Sequence, residues 1–503
     1  MEADQSPTIE PQFRALVACP RSGSSLLVNI FAELSVHVVS SNHILEDDSS
    51  SEVASTDDST LEEPSNHEVF GSAKDSGKCC LISKEDLEDR NLKLENLYDA
   101  QIILASYESQ RPVLLIRDPI RVFASWKSLD WTDAQNLIDY YTSIFRMFHE
   151  APANTVLCLL YEKLVRDPRT EITRICAHWR MTFSDSMLSF EKQPGCSSFL
   201  FSNACEKSNY SADKSPASSA TVDASKIVDS EVPYHNLLSN SEKDHIEQHL
   251  GRLYIECWKE DVLRLRAIVA GKSWFGFDLD DTLHEFRRSS GIATSKVLKK
   301  ISDQYLTPVA ALKDEYSKIL KEKTSNAFSD GKASFDYRKE RFTALLACFA
   351  IPENSSFVDE LLDVYEDVLT EALELKSGAL DLLVTLKGMG KKIVIITEGP
   401  QDVQERTLQA LGIKDYVDFL ATTNNFRAAK TRGLFPEVLH HLGISAGDLA
   451  YVGDSEDRDT KPAMAEGIFS FLLAEAKNVS LSSSPPRVNT LRKLQYIVSD
   501  EVA

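Results

Sequence analysis

The sequence predicts an α/β protein with two three-layer domains, each built around a parallel β-sheet. Short apolar segments with the length of buried strands alternate with helix-like segments along most of the chain. Several of these apolar segments end in charged or small polar residues, as is common where parallel strands deliver functional groups to one sheet edge. The length of 503 residues suffices for two or three ordinary domains.

The composition indicates a soluble protein of a reducing compartment. The formal net charge of −22 argues against nucleic acid or an anionic membrane as a partner. Nine cysteines are scattered, odd in number and without a CxxC pair, which favours a reduced, cytoplasmic chain. The N-terminus is polar and acidic, and no apolar run approaches a membrane span, so we expect neither a secretory signal nor a membrane segment.

The N-terminal domain is expected to span residues 1–265. Its first strand, RALVAC, runs into the small-residue turn PRSGS and a helix, and two later strands, RPVLLIRDP and ANTVLCLLYEKLVRDP, also precede helices. Two Ser-rich stretches, residues 46–78 and 193–230, are expected to be low-complexity insertions. A helix over 239–258, which opens with an N-cap signal, is expected to close the domain, with a linker near 265–272.

The PRSGS turn predicts an anion-binding site at the start of the first helix. Backbone N–H groups of such a turn and of a helix N-terminus attract negative charge. The turn is not a Walker A loop, because the GK[ST] ending is absent. Arg117 closes a later strand and Ser125 follows in the next helix, which offers a guanidinium and a hydroxyl to a second phosphate. The candidate nucleotide-binding residues of the turn are Arg21, Ser22, Gly23, Ser24 and Ser25.

Together these motifs resemble the sulfotransferases that use 3′-phosphoadenosine 5′-phosphosulfate (PAPS), over residues 12–260. The segment YEKLVRDP resembles the family's YExLxxDP segment. The resemblance implies a P-loop fold, with the turn binding the 5′-phosphosulfate and the Arg117–Ser125 pair binding the 3′-phosphate of PAPS or of its product PAP. Two departures stand out: the interval that commonly holds the family's catalytic base offers only His43 and Glu46 without a motif, and PGCSS is the nearest match to the glycine-rich nucleotide loop.

Three apolar segments in the C-terminal half, FGFDLDDTL, KKIVIITEG and LAYVGDSEDRD, each end in polar groups. Because the carboxyl ends of parallel strands meet at one sheet edge, we expect these groups to converge. Carboxylates, a hydroxyl and an ammonium are the parts of a magnesium-dependent phosphoryl-transfer site. The groups are those of Asp278, Asp280, Thr397, Asp454 and Asp459, with Lys430 between the last two strands.

The residue types suggest a role for each group. Asp278 is placed to attack phosphorus, and Asp280, two residues on, to protonate the leaving group and later deprotonate water. Thr397 can hydrogen-bond a phosphoryl oxygen, and Lys430 can neutralise the nucleophile and the phosphate. Asp459 is suited to orienting Lys430. The expected Mg²⁺ ligands are Asp278, Asp280, Asp454 and Asp459.

In order and spacing these motifs resemble the haloacid dehalogenase superfamily, over residues 272–475. The helical segment 284–375 between the first two motifs resembles the family's inserted α-helical cap, and Asp280 favours a phosphatase over a dehalogenase. Thr431 departs from the proline that many relatives have after the motif lysine. We therefore expect a hydrolase domain over 272–480, with 481–503 as a tail. His284 is expected to face solvent or the cap.

The sequence thus predicts a phosphomonoester hydrolase that acts on a small phosphorylated metabolite and is fused to a sulfotransferase-like domain. Two hypotheses remain open for the N-terminal half. In the first, it transfers sulfate from PAPS, an adenine nucleotide donor. In the second, it is a binding or docking module without chemistry of its own, which the lack of a motif around any candidate base favours.

Overall fold

The structure is a computed structural model that describes residues 12–32, 36–40, 80–85, 111–188, 237–323, 328, 330–352 and 354–499. The low-complexity insertions predicted at 46–78 and 193–230 lie outside these residues, as do His43, Glu46 and the PGCSS segment. The chain divides into two compact units. The first comprises Met1–Leu238 and Gln248–Cys257, and the second comprises Ser239–Glu247 and Trp258–Ala503.

The first unit contains a five-stranded sheet in which all the described pairings are parallel, with the order β2-β3-β1-β4-β5. The central strand and β4 are apolar and buried, as a sheet covered on both faces requires. Phe31 and Trp179, from two helices, meet edge to face in the core on one side of the sheet. The strands are Gln12–Ala18 (β1), Val36–Ser40 (β2), Cys80–Glu85 (β3), Val113–Ile116 (β4) and Leu157–Leu160 (β5).

Three helices of the first unit, Ser24–Ala32, Pro119–Lys127 and Tyr161–Arg166, follow β1, β4 and β5 within a few residues, so these strand ends and helix N-termini lie together. Asp118 caps the helix after β4: its Oδ1 accepts a hydrogen bond from the Ile120 amide at 3.1 Å, and Pro119 occupies the first turn. This N-cap sets the start of the helix and therefore the position of Ser125 within it. The helices are Ser24–Ala32, Pro119–Lys127, Ala134–Glu150, Tyr161–Arg166, Pro168–Trp179 and Arg252–Glu256.

The second unit contains a six-stranded parallel sheet with the order β11-β10-β9-β6-β7-β8. Strand β6 lies between β9 and β7, so the three strands that carry the predicted site are neighbours. The predicted fold class, with two parallel-sheet α/β domains, is confirmed. The strands are Trp274–Phe277 (β6), Lys392–Thr397 (β7), Phe419–Thr422 (β8), Leu449–Gly453 (β9), Phe469–Leu473 (β10) and Arg487–Val488 (β11).

Four helices between β6 and β7 form a helical cap with an apolar core of its own, which includes Phe342, Leu361 and Tyr365. These helices are Phe286–Tyr305, Val309–Lys323, Ser334–Cys348 and Ser355–Glu371. The second unit has further helices outside this cap. They are Asn240–Ile246, Lys259–Ala270, Ala379–Gly388, Gln401–Ala410, Thr423–Phe426, Leu434–Leu442, Lys461–Ala465 and Leu491–Val498.

The structure differs from the sequence-based boundaries at three places. The helix expected over 239–258 to close the first domain is interrupted by a π-helical turn, Glu247–Gly251, and its first part, Ser239–Glu247, belongs to the second unit. The linker expected near 265–272 falls largely within the helix Lys259–Ala270, whose residues Leu265 and Val269 are buried. The segment 481–503, expected to be a tail, supplies β11 and the helix Leu491–Val498, which packs its apolar side into the second unit. Among the described residues, no helix is long and apolar enough to cross a membrane.

Candidate active site

Asp278 directly follows β6, and its amide donates to the Val452 carbonyl of β9 at 2.9 Å. Thr397 is the last residue of β7, and Asp454 directly follows β9. The carboxyl ends of the three neighbouring strands therefore deliver these side chains to one edge of the sheet. Asp278 and Thr397 are both buried, at 6% and 0% exposure.

Lys430 joins two of the acids. Its Nζ lies 2.5 Å from an oxygen of Asp278 and 2.5 Å from an oxygen of Asp459, and all three side chains are buried. The Tyr451 hydroxyl also donates to Asp459, at 3.1 Å, and the Ser455 amide donates to its other oxygen at 3.0 Å. Asp459 lies in a π-helical turn, Glu456–Thr460, a distortion that is frequent at functional sites. Asp459 is thus held in position from three directions.

Burial and neighbouring negative charges raise the pKa of two of the acids. Burial raises the pKa of Asp278 to about 8; Asp459 and Asp280 add to this rise, and Lys430 opposes it. The pKa of Asp454 is raised by burial and then by Asp459, with Arg287 acting the other way. Burial would lower the pKa of Lys430, but Asp278 and Asp459 outweigh it and the net shift is upward. The site therefore stabilises cations.

Three carboxylates form a group with the geometry of a cation site. Oxygens of Asp278, Asp454 and Asp459 all lie within 4.8 Å of one another. Asp280, which the sequence analysis also placed among the metal ligands, is not in this group. The Thr397 hydroxyl, at the end of the neighbouring strand β7, is buried and, among the described residues, has no hydrogen-bond partner. The structure thus brings Asp278, Asp454, Asp459 and Lys430 together. The Asp280 carboxylate lies near enough to raise the pKa of Asp278, but its hydrogen-bond partners are other residues.

Asp280 is bound by two residues that the sequence analysis did not place in the site. His284 Nε2 lies 3.0 Å from one carboxylate oxygen, and the Gln404 amide nitrogen lies 3.4 Å from the other. His284 is fully buried, so of the two expected positions the solvent-facing one is wrong, whereas its ring does lie edge to face with Phe286, the first residue of the cap, at 6.0 Å. The DLDDTLH spacing could have indicated His284, but Gln404 follows β7 and only the fold brings it to Asp280.

The PRSGS turn of the first unit has the backbone that its sequence predicts. Arg21 and Gly23 have φ values of 72° and 97°, in the left-handed region, and the Ser22 amide donates to the Cys19 carbonyl at 3.0 Å. A Cβ at Gly23 would come within 2.6 Å of the Tyr161 ring. Glycine is therefore needed where the turn packs against the YEKLVRDP segment. Ser22 and Ser24 are buried, and the Ser25 side chain lies outside the described part of the structure.

Arg117 and Ser125 both contact Arg21. A guanidinium nitrogen of Arg117 donates to the Arg21 carbonyl at 2.9 Å, and the Arg117 guanidinium lies 4.3 Å from the Tyr161 ring centre. The exposed Arg21 side chain donates through Nε to the Ser125 hydroxyl at 3.1 Å. Arg21, Arg117 and Ser125, three of the residues predicted to bind phosphate groups, thus contact one another, and Arg21 links the turn to the Arg117–Ser125 pair.

Comparison with known proteins supports both resemblances. Residues 276–473 match the haloacid dehalogenase-like (HAD) hydrolase family, and residues 15–185 match the sulfotransferase family. Among solved structures, the chain resembles a HAD phosphatase from Thermococcus onnurineus, with 22% identity, coverage of 46% of this chain and 99% of that one, and a TM-score of 0.35. It also resembles a putative HAD-hydrolase from Bacillus subtilis bound to magnesium, with 21% identity, coverage of 45% and 98%, and a TM-score of 0.37.

The curated relatives include two phosphatases. A glyceraldehyde 3-phosphate phosphatase of Methanocaldococcus jannaschii is 28% identical over 44% of this chain and 93% of its own length. A ribulose-1,5-bisphosphate 5-phosphatase of Halopiger xanaduensis is 27% identical over 27% of this chain and 57% of its own length. The chain therefore carries a sulfotransferase family domain in its N-terminal half and a haloacid dehalogenase-like hydrolase domain in its C-terminal half.

Proposed function

We propose that the C-terminal unit is a Mg²⁺-dependent phosphatase that hydrolyses a small phosphomonoester through an aspartyl-phosphate at Asp278. The observation that carries the proposal is the contact of Lys430 with Asp278 and Asp459, next to the three-carboxylate group that includes Asp454. This arrangement sets a nucleophile, a buried cation and a candidate metal site side by side. The names of the curated relatives favour a small phosphorylated metabolite as substrate.

The donor set fits Mg²⁺. Asp278, Asp454 and Asp459 offer three negative charges against the single charge of Lys430, which leaves an excess of two in a largely buried group. Hard oxygen ligands of this kind suit a divalent cation. The exposed Arg287 side chain also contacts Asp454, at 3.2 Å, from the rim of the site. When bound, Mg²⁺ would neutralise charge on the carboxylates and on the phosphoryl oxygens.

The chain's own residues supply the remaining chemistry. An oxygen of Asp278 forms a bond to phosphorus as the ester P–O bond breaks, and Asp280 gives a proton to the departing oxygen. Water then attacks the phosphorus of the aspartyl-phosphate and loses a proton to Asp280, which restores both acids and releases phosphate. The Thr397 hydroxyl and the Lys430 ammonium stabilise the phosphoryl oxygens throughout.

A panel of phosphorylated metabolites, assayed with and without Mg²⁺, tests this function. We expect phosphate release that requires Mg²⁺ and that falls by about 10³-fold or more in Asp278→Asn, which keeps the shape but loses the nucleophile. Asp303→Asn removes an exposed carboxylate of the cap and should leave turnover unchanged. Mg²⁺-dependent turnover that persists in Asp278→Asn would refute the aspartyl-phosphate route.

For the N-terminal unit we propose binding of a nucleotide sulfate donor of the PAPS type. The contacts between Arg21, Arg117 and Ser125 support it, because they gather two guanidinium groups and a hydroxyl beside a helix N-terminus. Sulfate transfer and non-catalytic binding remain the two candidate activities. No motif surrounds a candidate base, which favours binding alone.

Titration calorimetry with PAPS and PAP tests the binding. Arg21→Ala should weaken both by roughly 10-fold or more, the loss expected for a charge-assisted hydrogen bond. Arg146→Ala, which removes an exposed arginine from the helix Ala134–Glu150, serves as the control. Tight binding without sulfate turnover on a panel of acceptors would support the binding module, and turnover would support the transferase. Equal affinities in wild type and Arg21→Ala would contradict this site.

A further inference from the structure

Both oxygens of the Asp280 carboxylate have a protein partner. His284 Nε2 approaches one oxygen at 3.0 Å, and Gln404 Nε2 approaches the other at 3.4 Å. The two partners are 0% and 3% exposed, whereas the Asp280 side chain is 22% exposed. The carboxylate can therefore meet a ligand while two buried residues hold it from behind.

The two partners come from different parts of the second unit. His284 lies on the segment that leads into the cap and forms bridges with both Asp280 and Leu375, so it belongs to the paired backbone at the base of the cap. Gln404 lies in the helix that follows β7, and a Cβ at Gly399 would come within 2.6 Å of its amide nitrogen. The glycine of the TEG segment thus leaves room for this amide beside Asp280.

The remaining polar atoms of the two partners point to the same role. Neither His284 Nδ1 nor Gln404 Oε1 has a hydrogen-bond partner among the described residues, although both atoms are buried. Burying an imidazole and an amide with one polar atom unsatisfied costs stability compared with apolar side chains of similar size. Packing alone therefore does not explain these two residue types, whereas their contacts with Asp280 do.

We propose that His284 and Gln404 are positioning residues for Asp280, the proton donor and acceptor of the reaction. This inference rests on the phosphatase function proposed above. Each partner can donate to Asp280 or accept from it, the imidazole through its tautomers and the amide through a half-turn. Both can therefore hold the Asp280 side chain whether it is a carboxylate or a carboxylic acid. Without them the side chain would rotate away from the leaving-group oxygen.

A comparison of leaving groups separates positioning from general damage. The departing oxygen of an alkyl phosphate needs a proton, whereas the phenolate of 4-nitrophenyl phosphate leaves without one. For an alkyl phosphate that the wild type hydrolyses, we expect His284→Phe to lower kcat/KM by roughly 10- to 100-fold, because part of the rate gain from general-acid catalysis is lost. For 4-nitrophenyl phosphate we expect kcat/KM to fall by less than about 3-fold. His284→Gln keeps a donor and should recover much of the loss.

Gln404→Leu provides a second variant in a different element and should change the alkyl-to-aryl ratio in the same direction. The ratio does not depend on the fraction of folded enzyme, so a less stable variant still gives an answer. If the alkyl-to-aryl ratio of kcat/KM is unchanged in both variants, which means equal losses on the two substrates, the positioning role is overturned. If the wild type shows no Mg²⁺-dependent turnover of either substrate, the phosphatase proposal fails and this one with it.

A spectroscopic readout does not need turnover. In the metal-free protein, ¹⁵N shifts of the His284 imidazole, assigned by their loss in His284→Gln, should change in Asp280→Asn because the acceptor of the Nε2 hydrogen bond is altered. The ¹⁵N shifts of the exposed His440 should stay constant. Unchanged His284 shifts in Asp280→Asn would show that the contact does not exist in solution.

Discussion

At the residue scale, the closest fit in the site lies between Gly453 and Asp459. A Cβ at position 453 would lie 2.4 Å from the Cβ of Asp459 and 2.6 Å from its Cγ, closer than such atoms approach. Gly453 ends β9, so its backbone cannot move without moving the strand that precedes Asp454. The missing side chain is therefore what allows Asp459 to reach Lys430.

We predict that Gly453→Ala displaces the Asp459 carboxylate and weakens the site. Misplacement of a catalytic group by about 1 Å costs on the order of 100-fold in rate, and we expect a fall of that size in kcat/KM with weaker Mg²⁺ binding. Steady-state assays over a range of Mg²⁺ concentrations would measure both. Gly388→Ala is the matched control, because a Cβ there meets nothing within 4 Å. Wild-type activity in Gly453→Ala would show that the position of Asp459 is not limiting.

Sequence alone could indicate the residues at strand ends but not the partners that hold them. Asp278, Thr397 and Asp454 follow or end strands, and strand ends at one edge of a parallel sheet must converge. Gln404 is separated from Asp280 by 124 positions, and nothing in the helix QDVQERTLQA distinguishes it from a surface glutamine. Its role depends on how the helix packs, which has no local signature.

At the element scale, the largest difference from the sequence-based prediction concerns the last part of the chain. Residues 481–503 are expected from the sequence to be a tail. In the structure, β11 pairs with β10, and the helix Leu491–Val498 packs one apolar side inward. Lys493 forms a fully buried ion pair with Glu247, a charge in a place where sequence reasoning expects exposure.

We predict that a chain ending at Ser484 loses the folded C-terminal unit. The truncation removes β11 and four buried side chains, each contributing about 1.5–3 kcal/mol, so the sum is comparable to the roughly 5–15 kcal/mol stability of a domain. These side chains are Leu491, Leu494, Ile497 and Val498. We expect aggregation, or no cooperative thermal transition for this unit in calorimetry. A chain ending at Ser499 is the control and should unfold like the full chain, whereas normal unfolding after truncation at Ser484 would contradict the packing.

At the scale of the whole C-terminal unit, a buried charge network joins segments that are far apart in sequence. Glu475, just after β10, contacts Lys376 at the base of the cap and Lys243 at 3.0 Å, in the helix Asn240–Ile246. Lys376 also reaches Glu285 at 2.9 Å, where the chain enters the cap. One carboxylate thus links the sheet, the cap base and the segment 239–247, so its ionisation should influence the stability of the unit.

We predict that Glu475 makes this unit less stable as the pH falls. Burial would raise the pKa of Glu475, but Lys376 and Lys243 outweigh it and hold the pKa at about 2, below the ordinary 4.5. A carboxyl with a depressed folded-state pKa stabilises the fold above its unfolded pKa and loses that contribution as the pH falls through the folded one. The contribution of about 3 kcal/mol at neutral pH should shrink by about 1.5 kcal/mol between about pH 6 and pH 3.5.

In urea unfolding followed by tryptophan fluorescence, the stability difference between wild type and Glu475→Gln should narrow by that amount, while Glu466→Gln, an exposed control, follows the wild type. A difference that stays constant over this pH range would show that Glu475 is not ionised through the network.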